Sequence, residues 1–296
     1  GYMYFFKQLL NGIQLGSIYA LVAIGYTMVY GIVSLINFAH GEIMMVGGYV
    51  CIVLIPIISA AGLPIWTCII GAVILVSLLG VVIEKIAYKP LRNSPRISAL
   101  ITAIGVSLFL QNLFMLIFSP SSQPFPSLFN VTLPSIGGFS ISFNTVITII
   151  VTIVLMLGLQ IFIKNTRIGK AMRAVAQDTD AARLMGININ TTISVTFAIG
   201  SGLAAVAAAL YACEYPLINP YIGTFLGIKA FIAAVLGGIG IIPGAMLGGV
   251  MLGIAESLTK AYISSQLADA VVYGILIIVL LFKPSGIMGK NQGEKV

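Results

Sequence analysis

The chain has 296 residues; 59% are hydrophobic and only 8% charged, and the mean hydropathy is +1.10. A water-soluble domain carries about a quarter of its residues charged, so this composition excludes an ordinary soluble fold. The net charge of +7 comes from cations in short loops between apolar runs, where they read as membrane-topology signals. No basic patch is interleaved with aromatics, so no nucleic-acid partner is expected.

The first apolar segment, 8–32, carries Asn11, Gln14 and Ser17, and no small-residue cleavage site follows it. It is expected to be a retained membrane helix rather than a removed signal. Further apolar segments fall at 43–61, 65–83, 97–118, 143–163, 191–213, 228–256 and 270–282. A spanning helix needs about 20 mostly apolar residues. These runs are too long, and alternate too little, to be barrel strands. The fold class is therefore all-α: a polytopic membrane helix bundle of about eight spanning segments. Residues 1–296 are expected to form one transmembrane domain embedded in lipid.

The heptapeptide Ile36–Glu42 holds the chain's single histidine, His40, with Asn37, Gly41 and Glu42. A charge near membrane depth costs on the order of 3 kcal/mol on insertion scales, so it normally faces protein or a wet cavity. Residues two apart do not share a helix face. With Gly41 between His40 and Glu42, a break in the helix is expected here. The segment reads as a local cap, as a polar hinge beside a translocation route, or as a proton relay. Glu214, Glu256 and Asp269 lie at segment ends, and Glu214–Pro216 with Asn219–Pro220 read as an exposed outer turn. Lys229 reads as an interfacial side chain that snorkels to water.

The stretch 84–96 holds Lys85, Lys89, Arg92 and Arg96; 164–183 holds Lys164, Arg167, Lys170, Arg173 and Arg183; the tail holds Lys283, Lys290 and Lys295. Residues 119–142 carry no charge. The positive-inside rule places the first three in the cytoplasm and the last outside. That requires an even number of passes between 84–96 and the tail, whereas segments four to eight make five. A re-entrant or doubled hairpin within 228–256 restores the parity. Gly237, Gly238, Gly240, Pro243 and Gly244 would interrupt a helix at its centre.

Small residues recur every four positions at Gly240, Gly244 and Gly248, beside Gly249 and Gly253; at Gly200, Ala204 and Ala208; and at Gly12 and Gly16. Such stripes let helix backbones approach in lipid, either within one chain or between subunits. Cys51, Cys68 and Cys213 read as small buried hydrophobes.

Residues 166–186 do not resemble a linker, since plain helix connections run about 2–8 residues. Met172, Val175 and Ala176, then Ala181, Ala182, Leu184 and Met185, recur at helical spacing. Thr179 is expected to cap a second short helix with Asp180 in its first turn, and Gly186 to stop it. Two short amphipathic helices on the cytoplasmic side suggest a docking surface. The chain contains no phosphate-binding loop, no metal-ligand cluster and no catalytic motif, so it is not expected to be an enzyme, and no metal or catalytic site is expected.

Several blocks resemble the LivH-type high-affinity branched-chain amino-acid permeases: NGIQLGSIYALVAIGYTMVYGIVSLINFAHGE (11–42), SALITAIGVSLFLQN (98–112), NPYIG (219–223), KAFIAAVLGGIG-IPGAMLGG (229–249) and GIAE (253–256). They run through nearly the whole chain. Related urea and amide permeases share the NFAHGE-like segment, so a urea or amide permease is the nearest alternative. A proton-coupled secondary transporter using His40, Glu42 and Glu214 is the other.

The resemblance implies the permease subunit of an ABC importer for leucine, isoleucine and valine in the bacterial cytoplasmic (inner) membrane. Its implied partners are a second, LivM-like permease, two cytoplasmic ATPases and an extracytoplasmic substrate-binding protein. No cofactor is expected on this chain, because ATP and Mg would be used by the ATPases. In such importers an EAA-x3-G element docks the ATPase; here Asp180–Ala181–Ala182–Arg183–Leu184–Met185–Gly186 is similar, with Asp for Glu. The expected coupling residues are Asp180, Ala181, Ala182, Gly186 and Arg173. The expected translocation and gating residues are Asn37, His40, Gly41, Glu42, Gly237, Gly238, Gly240 and Gly244.

Overall fold

The computed structural model describes residues 1–289; Lys290 and Lys295 of the basic tail lie outside the described residues. The long helices are α1 (Tyr2–Val33), α2 (His40–Ala60), α3 (Cys68–Ile83), α4 (Arg96–Phe118), α5 (Phe143–Asn165), α8 (Ile189–Glu214) and α10 (Ile242–Tyr262). Between them lie α6 (Arg167–Gln177), α7 (Thr179–Leu184), α9 (Ile222–Gly237) and α11 (Ala268–Phe282). Among the described residues seven helical stretches are long and apolar enough to cross a bilayer, α3 counting with its flanking turns as Ile65–Leu91, while α9 and α11 are shorter apolar helices. The only paired strands among the described residues are β1 (Gln123–Pro124) and β2 (Leu217–Ile218), antiparallel.

The stretch 228–256 is two helices, as parity requires. Gly238 and Gly240 take positive φ values of 105° and 94°, a region that costs a side-chain-bearing residue but not glycine. Pro243 occupies the first turn of α10, where its missing N–H is no loss. The turn packs beside Gly31 near the end of α1 and against Gly289. It therefore lies at the same end of the bundle as the basic stretches. Arg92 reaches Asn190 there, and Gly31, Ile163, Arg173 and Gly240 line one cavity. The uncharged 119–142 stretch, β1–β2 and Lys260 occupy the opposite end. By the positive-inside rule the basic end is cytoplasmic.

Two halves of the chain correspond. Helix α2 packs on α3 as α9 packs on α10, α3 lies on α8 as α10 lies on α1, and α4 flanks α2 as α11 flanks α9. The second set runs in the opposite direction across the membrane, the arrangement of an inverted repeat. Helices α5 to α7 connect the halves.

Helices α1 and α10 are packed backbone to backbone. A Cβ at Gly16 would sit 2.6 Å from the Val250 Cα, and one at Gly253 would sit 2.3 Å from the Gly16 Cα. Gly200 faces Gly25 in the same manner at 3.5 Å. The small-residue stripes are thus spent on packing within this chain. Gly240 belongs to the turn rather than to the stripe, which starts at Gly244.

Candidate functional site

Helix α1 ends at Ser34, which takes a left-handed conformation (φ 55°) while its N–H bonds Tyr30 O at 2.9 Å. Residues 34–37 are not helical, and the chain turns back into the bundle before α2 starts at His40. The His40 imidazole Nε2 lies 3.1 Å from Val22 O. Val22 lies 11 residues before the end of α1, about 17 Å along its axis. Measured against a hydrocarbon core about 30 Å thick, α2 starts near mid-depth.

The second half repeats this break. Helix α8 ends at Glu214, residues 215–221 include a single paired strand, and α9 starts at Ile222. Asn37 Oδ1 accepts from Ala39 N at 3.2 Å and Asn219 Oδ1 from Tyr221 N at 2.9 Å, so matching Asx turns precede both helices. Four residues after each asparagine comes a glycine, Gly41 or Gly223. The two backbones touch: a Cβ on Gly41 would lie 2.3 Å from Gly223 O, and one on Gly223 would lie 2.5 Å from Gly41 O. Two helix N-termini therefore meet at mid-depth.

Glu42 projects into this junction. Its Oε1 accepts hydrogen bonds from Ser107 Oγ of α4 and Thr224 Oγ1 of α9, each at 3.2 Å. A cavity of about 190 Å³ opens beside it, with Tyr26, Phe38, Gly227 and Phe231 in its wall. Asn37 is buried, and Tyr88 Oη donates to its Oδ1 at 2.5 Å. Tyr88 closes a π-turn, Glu84–Tyr88, at the cytoplasmic end of α3. A larger cavity of about 610 Å³ opens below it, lined among others by Ser34, Glu84, Tyr88, Arg92 and Arg96.

Asn37, His40, Gly41 and Glu42 are thus brought together at the break. Gly237, Gly238, Gly240 and Gly244 are not part of it: they form the cytoplasmic turn at the other end of α9, about 21 Å from Gly223. Residues 285–289 cover that turn, with Ile287 N on Leu236 O and Met288 N on Gly237 O. His40, Glu42 and Glu214 share no hydrogen bond or ion pair; Glu214 instead accepts from Gln14, which Thr145 holds from α5.

Lys229 does not snorkel. Its ammonium lies 2.6 Å from Glu256 and 3.0 Å from Asp269, and Glu256 also meets Lys260 at 3.2 Å and the Tyr19 hydroxyl at 2.6 Å. Glu256 is buried although it lies near a helix end. Sequence reasoning missed Tyr88, Ser107, Thr224 and this ionic cluster. The matching of NFAHGE to NPYIGT, with Glu42 and Thr224 at equivalent places, is the signal that could have found Thr224.

The cytoplasmic loop folds as two helices. Thr166 caps α6 through Gly169 N, and Asp178, not Thr179, caps α7 through Ala181 N at 3.0 Å. Asp178 is extended and free to turn its carboxylate inward, whereas Thr179 bonds back to Val175 O. Gly186 stops the element at φ 88°. Met172, Val175 and Ala182 face the bundle, while Asp180, Arg183, Leu184 and Met185 are exposed. Arg173 Nη2 holds Lys164 O at 3.2 Å.

A family model for the permease component of branched-chain amino acid transport systems matches residues 8–281. This chain belongs to that permease family. The match is supported by relatives along the full length. It is 50% identical over 304 residues to the high-affinity branched-chain amino acid transport system permease protein LivH of Salmonella typhimurium, covering 100% of this chain and 99% of the relative. It is 47% identical to BraD of Pseudomonas aeruginosa over 99% and 98% of the two chains. A probable LivH of Methanocaldococcus jannaschii is 30% identical over 96% and 92%. Among solved structures, PsaBC of Streptococcus pneumoniae in complex with Fab aligns with a TM-score of 0.46 at 15% identity, over 94% of this chain and 91% of that one. The chain is a multi-pass membrane transport subunit.

Proposed function

We propose that this chain is the permease subunit of an ATP-driven ABC importer of branched-chain amino acids in the bacterial cytoplasmic membrane. It would form the pathway together with a second, LivM-like permease. Two cytoplasmic ATPases would hydrolyse ATP with Mg, and an extracytoplasmic binding protein would deliver leucine, isoleucine or valine. The observation that carries this reading is the identity of about half the residues, end to end, with permeases named for high-affinity branched-chain amino acid transport.

The geometry agrees with the division of labour. The exposed face of α7, carrying Asp180, Ala181 and Arg183, is the docking element for an ATPase, with Gly186 fixing its end. Motion at α6–α7 would reach the 34–42 break through the cytoplasmic end of the bundle. There Glu84 pairs with Arg92 and accepts from Ser194 of α8, and Tyr88 holds Asn37. The broken helices would then line the route at mid-depth, where irregular backbone is tolerated because it faces a cavity.

The test is uptake of labelled leucine into proteoliposomes holding the assembled importer, its binding protein and internal ATP. Uptake that requires ATP and survives collapse of the proton gradient supports the reading. Uptake that needs no ATP and disappears with the proton gradient contradicts it.

A further inference from the structure

Glu42 is 3% exposed, and its second carboxylate oxygen, Oε2, has no hydrogen-bond partner. Oε1 is served only by two neutral hydroxyls, and among the described residues no lysine, arginine or histidine pairs with this acid. Among the described residues every other buried acid is paired: Glu84 with Arg92, Glu256 with Lys229 and Lys260. An unpaired carboxylate at membrane depth is expensive and marks a place where charge is used.

We propose that Glu42 is the subsite that receives the α-ammonium group of the amino acid in transit. The proposal rests on the importer reading and adds to it the atom that recognises the substrate. A primary ammonium has three donors, enough to satisfy Oε2 and leave donors for the hydroxyls of Ser107 and Thr224. Oε2 is covered in this arrangement and lies against the backbone of Gly223, where an added Cβ would stand 2.8 Å from it. Facing the carboxylate, Tyr26 and Phe38 each pack a ring against Phe231, with centroids 5.9 and 5.7 Å apart. They offer π-faces to a cation and apolar surface to a branched side chain. The 190 Å³ cavity holds on the order of six waters at about 30 Å³ each, room for one small zwitterion. Its wall joins Ser107 of α4 to Gly223, Thr224, Gly227 and Ile228 of α9. A cavity beside a bare carboxylate must open onto protein or a wet path rather than lipid.

The experiment uses the assembled importer with Ser107→Cys on a background lacking the three native cysteines. Two methanethiosulfonate reagents of similar size probe it, one ending in an ammonium and one in a sulfonate. The ammonium reagent is expected to modify the thiol at least about tenfold faster, and adding Glu42→Gln is expected to abolish that preference, since a charge-assisted hydrogen bond is worth about that factor. Leucine uptake per assembled complex is expected to fall about tenfold in Glu42→Gln and to recover partly in Glu42→Asp. Equal modification rates for the two reagents, or wild-type uptake in Glu42→Gln, overturns the proposal while leaving the importer reading intact. Thr224→Cys repeats the labelling if Ser107→Cys does not assemble. Absence of leucine uptake in the wild-type importer would instead remove the importer reading, and this subsite with it.

Discussion

The phenolic hydroxyl of Tyr88 donates a 2.5 Å hydrogen bond to the side-chain oxygen of Asn37, across 51 residues of sequence. It ties the π-turn at the cytoplasmic end of α3 to the non-helical segment that precedes α2. The same Asn37 oxygen accepts from Ala39 N–H, so one side-chain atom serves both the break and its anchor.

Removing the two partners should therefore have unequal effects. Tyr88→Phe leaves Asn37 with Ala39 and should cost about 1 kcal/mol. Asn37→Ala strands both a buried hydroxyl and a buried N–H, and should cost roughly 2 kcal/mol or more. Hydrogen exchange at residues 38–41 should accelerate in both, more in Asn37→Ala, with uptake falling in the same order. Equal exchange in the two variants would refute the shared-acceptor account.

The packing of α1 on α10 predicts a contrast between glycines. Gly16→Val drives a branched side chain into the Val250 backbone, 2.6 Å from where its Cβ must sit. Backbone cannot step aside, so the variant should lose assembled protein in membranes. Gly158→Ala in α5 meets nothing within 4 Å and should be neutral or gain up to about 1 kcal/mol of helix propensity. Thermal melting of the purified variants checks both.

The ionic cluster makes a third prediction. Lys229 is 14% exposed and Lys260 is 45% exposed, yet both reach the Glu256 carboxylate, itself 1% exposed. Lys229→Met removes the closer, better-buried partner and should destabilise by on the order of 3 kcal/mol. Lys260→Met removes a solvated arm and should cost no more than about 1 kcal/mol. Melting temperatures in detergent that rank the other way would show that Lys260 carries the cluster.

Much of this architecture could be read in the sequence, and the limits have physical causes. Run length and loop charge located the helices. Parity, together with Gly237–Gly244, required the hairpin that separates α9 from α10. A break near His40 is legible because a histidine, a glycine and an acid crowd an otherwise apolar run, but it falls at 34–39, before His40, and Gly41 lies within the first turn of α2. The partners of those groups were not visible. Ser107 and Thr224 lie 65 and 182 residues from Glu42, and only the inverted arrangement of the halves brings them to it. Lys229 looked interfacial because its neighbours in sequence are apolar; Glu256 and Asp269 come from other helices. The cap of α7 is Asp178, one residue before the expected Thr179, since both are good cap formers and φ/ψ decides between them. Gly237, Gly238, Gly240 and Gly244 marked a real interruption, but their turn lies at the cytoplasmic surface and not beside Glu42.

The most direct test of the central claim is co-purification from membranes with a tagged copy of this chain. Wild type is compared with a variant carrying Asp180→Arg and Gly186→Leu. Asp180 is 90% exposed, so its reversal changes the docking face and not the core, and leucine at Gly186 strains the left-handed stop at φ 88°. The account predicts that wild type brings down a second permease and two ATPases, and that the variant keeps the permease and loses the ATPases. Wild-type chain recovered alone would contradict it.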